Sequence, residues 1–347
     1  MRPLVSIIIP HWNGIDAITE CLESLLKTTY PNLEIIVVDN NSTDDSVNHI
    51  RSNFPKVILF ENGLNEGYAG GCNRGSEIAK GEYLLFLNND TIHKPNWIEP
   101  LVHLLEKDTQ IAAAQPKILN YYQKDLFDYA GAAGGMVDIL VFPFARGRIF
   151  NKKEVDTNQY NSKSEIFWSS GTAFLVRKIP FEKAGRFDEL FFAHMEEIDL
   201  CWRFHLLGFD VYCEPSSVVY HKNAMSLPMY TEKKYYLNHR NSLIMLLTNY
   251  SLLLSLYVLP IRWALDIVAI IYATLNGDWK HVKGIAKAHA WIVFHPRKLF
   301  RKRREVRTLR KVKDKTIMRK MYNGSIVFAH YILRKNTYSE LTDNPRS

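Results

Sequence analysis

Residues 5–9, 34–38, 57–60 and Tyr83–Leu87 are short apolar runs rich in β-branched side chains, and stretches of helical periodicity separate them. That alternation constrains the fold more than any other feature. Continuous apolar runs of this length read as strands buried on both faces. Between them Ile15, Ile18, Leu22, Leu25 and Leu26 recur at three- and four-residue spacing, and Ser42-Thr43-Asp44-Asp45 is a helix start ahead of Val47 and Ile50. The pattern predicts an α/β fold with a parallel, doubly wound sheet in this half. Ligands of such sheets bind outside the carboxyl ends of the strands.

Those ends read Pro10-His11-Trp12-Asn13-Gly14, Asp39-Asn40-Asn41-Ser42, the stretch 62–75, and Asn88-Asn89-Asp90. All are polar, and they should converge on one crevice. Pro10, Asn13, Asp39, Asn65, Arg74 and Asn89 form the candidate nucleotide-binding set. Asp39 can accept from a base or ribose, or it can cap the helix that follows. Arg74 closes a glycine-rich segment, where glycines let backbone approach a ligand and a guanidinium suits phosphate. Asp90 ends an apolar strand, where a single carboxylate suffices to begin a Mg²⁺-type site that diphosphate and water complete. Neither a G-x-G-x-x-G fingerprint nor a Walker A loop is present, which lowers the case for a dinucleotide or ATPase site.

Taken together and in order, SIIIPHWNG, VVDNNSTDDS, NEGYAGGCNRG and LLFLNNDT resemble the family 2 glycosyltransferases, with the bacterial rhamnosyltransferase-like branch nearest in look. The resemblance runs from about residue 4 to about residue 250. It implies a GT-A architecture, a Rossmann-like mixed sheet flanked by helices. It further implies a nucleoside-diphosphate-sugar donor, a divalent metal (Mn or Mg) at a D-x-D-type motif, and inversion at the anomeric carbon. Asn88 stands where the first acid of D-x-D is usual, so Asp90 would carry the metal. The Glu-Asp-x-Asp acid motif corresponds to Glu196, Glu197 and Asp199; Glu197 occupies the place of the usual base, with Glu196 the other candidate. His221 matches a further metal ligand of the family. The branch suggests rhamnose from a dTDP donor.

The residues alone give blander readings beside these. Acids at a helix start are also favoured by the helix dipole, a lone His after a strand is commonly structural, and Arg203 is placed to pair with Asp199 four residues earlier. Residues 167–177 read as a strand with small residues at its head, and the irregular stretch 121–165 as a loop over the donor.

Charge divides the chain. Residues 278–320 carry 16 Lys/Arg against Asp278, Glu305 and Asp314, within a formal net charge of +8. The catalytic part is therefore mildly acidic. Residues 243–275 are nearly all apolar, with Pro260 in the middle leaving two pieces rather short to cross a bilayer. Apolar, aromatic and basic segments side by side suggest a surface lying on anionic lipid, ahead of structural packing or nucleic-acid binding. The expected organisation is a catalytic domain at 1–235, divided near 115 into donor and acceptor/base halves, and a helical, membrane-associating extension at 236–347. With the first strand starting a few residues in, no signal peptide is expected before it, and four cysteines without metal spacing suit a reducing compartment. The expected location is cytoplasmic, peripheral on the inner face of the cell membrane. The expected partners are a glycan or polyprenyl-linked acceptor and the membrane surface, with no nucleic acid. The rival readings are a sugar nucleotidyltransferase, which should carry a G-x-G-T-R-type loop, and an inert membrane adaptor on a transferase fold.

Overall fold

The computed structural model describes residues 2–223 and 230–342. The chain runs β1 (Val5–His11), α1 (Ile15–Leu25), β2 (Leu33–Asp39), α2 (Ser46–Asn53), β3 (Ile58–Glu61), α3 (Gly67–Ile78), β4 (Tyr83–Leu87), β5 (Thr91–His93), α4 (Ile98–Lys107) and β6 (Ile111–Asn120). Four short strands follow, β7 (Gly135–Val137), β8 (Pro143–Ala145), β9 (Arg148–Ile149) and β10 (Lys152–Lys153), forming a small sheet of their own. Then come β11 (Ser164–Glu165), β12 (Ala173–Arg177), α5 (Lys178–Lys183), α6 (Glu196–Leu207) and β13 (Asp210–His221). Helices α7 (Glu232–Asn249), α8 (Leu252–Leu275), α9 (Trp279–Phe294) and α10 (Pro296–Leu309), with three short helices after them, complete the chain.

The main sheet has the order β11-β13-β6-β12-β4-β1-β2-β3 with β5 paired to β13. Strands β1 to β4 are mutually parallel, as the alternation predicts, while β12 runs antiparallel to both β4 and β6. The sheet is thus mixed. One face packs Ile7, Ile9 and Leu85 against Leu22 and Leu25 of α1 and Leu101 and Leu105 of α4. The other packs Ile8, Val38 and Phe86 toward Trp202 of α6 and Leu243 to Leu246 of α7.

Several local expectations change. Most of the glycine-rich segment is helix: Gly67, Gly70, Gly71 and Gly75 lie in α3, and Gly63 precedes it. A Cβ on Gly75 would stand 2.3 Å from Ile8 Cγ2 and one on Gly71 3.0 Å from Pro10 Cβ, so these glycines let the helix sit close on β1. Only 173–177 of the segment 167–177 is strand. The boundary drawn at 235 falls in the first turns of α7, whose Leu243, Ile244, Met245 and Leu246 are fully buried in the core shared with the sheet. The apolar run 243–275 is therefore two elements with opposite surroundings. Pro260 does not divide the second, which is one helix of 24 residues. In α8 the charges point inward and the apolar residues outward. Arg262 and Asp266 are 1% exposed, whereas Leu253, Tyr257, Val268 and Leu275 are more than half exposed.

Candidate active site

The carboxyl ends of β1, β2 and β4 are tied together by side-chain contacts. Asn13, in a left-handed conformation (φ 57°), joins the first two: its Oδ1 accepts from the Thr43 N–H (2.7 Å) and its own N–H donates to Ser42 Oγ (2.9 Å). Asp39 is buried and accepts from the Ser42 N–H at 3.1 and 3.3 Å, so it shapes the turn, while Asp45 is the residue at the start of α2. Pro10 packs against α3. Asn65 Oδ1 accepts from the Gly67 N–H (2.9 Å). Arg74, expected to face phosphate, is engaged by Glu66 through two contacts of 2.9 Å and lies 3.6 Å from Glu77.

Asn89 Nδ2 donates to His11 Nδ1 at 2.9 Å. That leaves the proton on His11 Nε2, which is buried with no partner among the described residues; the ring is 1% exposed. Burial lowers the pKa of His11 against the pull of Asp39 and Asp44, keeping it neutral. An unsatisfied buried donor costs about 1–3 kcal/mol, and this one stands between the strand ends that carry Asp39 and Asn89. In the sequence His11 is marked only as a polar ring flanked by Pro10 and Trp12 at a strand end.

Asp90 and His221 meet because β13 pairs with β5, with His221 in register with Thr91. Both are buried, and Asp90 Oδ1 lies 3.1 Å from His221 Nε2. Adjacent ligands on an octahedral ion with bonds of about 2.1 Å stand about 3.0 Å apart, so the two atoms suit one small divalent cation. On the far side of the ring, His221 Nδ1 bonds Asp128 Oδ1 at 2.8 Å, and Asn223 Nδ2 donates to Asp128 Oδ2 at 2.7 Å. A carboxylate behind a ligating histidine fixes the ring and its tautomer. Without a cation, a proton takes that place. Burial works against it, but the charge of Asp90 and the hydrogen bond that His221 donates to Asp128 outweigh burial and push His221 up to about 10. Among the described residues no cluster of three or more ligating side chains comes together. The protein would give two ligand atoms, with substrate oxygens and water giving the rest. Asp128 is 93 residues from His221 in the chain, and sequence reading assigned it no role.

The acids begin α6 beside this tip. The Asn88 N–H donates to Thr172 O (2.9 Å), and the adjoining Gly171 backbone lies close enough to Glu197 to favour its ionised form. Glu197 is half-buried and Glu196 buried. Desolvation raises both acids, Glu196 well above the carboxylate range with the charge of Glu197 adding to it, and Glu197 up to about 7 against its backbone hydrogen bonds. The turn before them is strained. Phe192, His194 and Met195 all have positive φ (62°, 67° and 74°), a cost that neighbouring structure must hold in place. Asn241 of α7 does so by donating to the carbonyls of Phe191, Ala193 and His194.

Asp199 is not part of this group. It is fully buried, with Oδ2 on Arg203 Nε (2.9 Å) and Lys302 Nζ (3.0 Å) and Oδ1 on Asn249 Nδ2 (3.0 Å). Burial opposes its ionisation, but Lys302 and Arg203 hold it below the usual carboxylate range. It ties α6 to α7 and α10.

A family profile described as Glycosyl transferase family 2 matches residues 6–183. The glycosyltransferase GlyG of Streptococcus pneumoniae is 31% identical over 218 residues, 60% of this chain and 67% of that protein. The Escherichia coli protein WfaP, named as a UDP-Glc:alpha-D-GlcNAc-diphosphoundecaprenol beta-1,3-glucosyltransferase, is 39% identical over 108 residues, 30% of this chain and 42% of that one. The chain spans about three fifths of the length of several curated relatives it matches. A structure of GalNAc-T7 with UDP, GalNAc and Mn²⁺ shares the fold at TM-score 0.53 and 18% identity, covering 69% of this chain and 47% of that one.

Proposed function

The chain belongs to glycosyl transferase family 2 and is a glycosyltransferase, and from that premise we propose that it moves a sugar, with inversion, from a nucleoside-diphosphate-sugar to a glycan or polyprenyl-linked acceptor in cell-surface polysaccharide synthesis. The observation that carries the proposal is the meeting of Asp90, His221 and Asp128 beside Glu197 at the carboxyl ends of the strands. WfaP and GalNAc-T7 are each named with a UDP species, which makes a UDP-sugar the first donor to test, ahead of dTDP-rhamnose.

In this reading Asp39, Asn65 and Asn89 line the nucleotide crevice, Asn13 fixes its two loops, and the His11 Nε2–H is a donor for the bound nucleotide. Arg74, through Glu66, holds the start of α3 and so acts on the crevice indirectly. A divalent cation, Mn²⁺ or Mg²⁺, held by Asp90 and His221 would stabilise the charge that develops on the diphosphate. Glu197 takes the proton from the attacking acceptor hydroxyl. The new bond forms from that oxygen to the anomeric carbon while the carbon–phosphate-oxygen bond breaks, its electron pair leaving with the nucleoside diphosphate. We favour Glu197 over Glu196 because it is the more accessible and adjoins Gly171 at the metal tip.

The inverted polarity of α8, with the basic and mostly exposed α10 near it, supports a surface resting on anionic lipid at the cytoplasmic face. Charges of α10 would add to that contact at about 1 kcal/mol each near the surface.

Cation binding tests the site directly. Mn²⁺ titrated by electron paramagnetic resonance with UDP present should bind wild type and be lost in Asp90→Ala. Asp128→Asn should weaken it roughly 10- to 100-fold. Unchanged Mn²⁺ affinity in Asp90→Ala would remove the metal from this site.

A further inference from the structure

Resting on the glycosyltransferase reading, we propose that a phosphate group of the acceptor docks on Arg148, near the Asp128–His221 pair. Arg148, on β9, is 7% exposed. Its Nη1 donates to the Phe150 carbonyl at 2.9 Å, while Nε is buried and has no partner among the described residues. Among the described residues no carboxylate stands within ion-pair distance of it, and the guanidinium lies 4.5 Å over the ring of Tyr129. Burial lowers its pKa, against the nearby Tyr129 and Asp128. A buried cation with no carboxylate in ion-pair contact is costly, and a phosphate supplies the pair of acceptors that a guanidinium matches.

Position separates Arg148 from its neighbour Arg146. Arg146 also has an unpartnered Nε, yet it lies over Tyr160 and Tyr338, with its Nη1 donating to the Ala133 carbonyl. Tyr129, by contrast, directly follows Asp128, the residue behind His221. Lys234 of α7 lies 5.8 Å from that same ring, and with Lys233 its charge reaches His194, two residues ahead of Glu196. Both cations therefore lie near the ring of Tyr129, next in the chain to the residue behind His221. The charge of Asp128 is answered by His221 and Asn223, so it does not forbid an anion there. The ligand class is a phosphate or diphosphate ester, borne by a lipid or by a polyol.

Calorimetry would test this with the donor site filled by UDP and Mn²⁺, titrating octyl diphosphate, ribitol 5-phosphate and octyl glucoside. At least one phosphate should bind wild type, the tighter arm naming the source. Arg148→Gln should weaken it at least tenfold with octyl glucoside binding and UDP affinity unchanged. Lys234→Gln should weaken it several-fold, which keeps the comparison open if Arg148→Gln does not fold. Phosphate binding that is absent in wild type, or equal in both variants and wild type, overturns the proposal. Failure of wild type to bind UDP would sink the donor reading alone, and the Arg148 comparison without UDP would then decide this one.

Discussion

Glu197→Gln is expected to lower turnover by roughly 10²- to 10⁴-fold, the usual contribution of a general base, while nucleotide affinity stays within about threefold and the melting temperature rises. The opposite signs follow from one cause. Desolvation beside Glu196 raises Glu197 to about 7, so at pH 8 its charge is held at the expense of stability. Glutamine removes that charge and with it the proton acceptor. A group of merely structural use would lose stability and activity together. The pH profile carries the same sign: the base must be ionised, so kcat/KM in wild type should rise with pH through the apparent pKa of the acid pair, and the variant should lose that limb. Steady-state rates from pH 5.5 to 9 and thermal melts of both proteins check it. A variant that is less stable yet fully active would hand the role to Glu196.

Asp199→Ala should destabilise the fold by about 3–5 kcal/mol, because it leaves Arg203 and Lys302 buried without their shared acid. Lys302 keeps Asp188 at 2.6 Å, and among the described residues Arg203 keeps only backbone carbonyls. Since α10 reaches α6 through Lys302, the loss should loosen the C-terminal helices as well as the acid helix. The folded pKa of Asp199 is depressed, so its contribution is present above the ordinary aspartate pKa of about 3.9 and fades as pH falls below it. Urea unfolding at pH 7 followed by circular dichroism measures the effect. Wild-type stability with abolished turnover would return Asp199 to the catalytic set that its sequence motif suggested.

The strands β1 to β4 were legible because continuous β-branched runs have few other uses, and the polar tips because strand ends in such sheets face ligands. The Arg203–Asp199 pair was legible as helix spacing. Asp199 as a structural tie was not, since its partners Asn249 and Lys302 come from helices 50 and 103 residues away. Asp128 and Asn241 were hidden for the same reason: each acts on a distant segment, and neither sits in a periodic pattern. The glycines of α3 misled because glycine serves close packing as readily as ligand approach. Pro260 misled because a proline in a long apolar helix can be accommodated without ending it.

The most direct measurement is release of nucleoside diphosphate from UDP-, GDP- and dTDP-sugars with Mn²⁺, Mg²⁺ or EDTA, for wild type and Asp90→Ala, with a membrane lipid extract as acceptor. The account predicts turnover of one donor class that needs the cation, stops in EDTA and is lost in Asp90→Ala. Turnover unaffected by EDTA and by Asp90→Ala, or no turnover and no nucleotide binding under any condition, would contradict it.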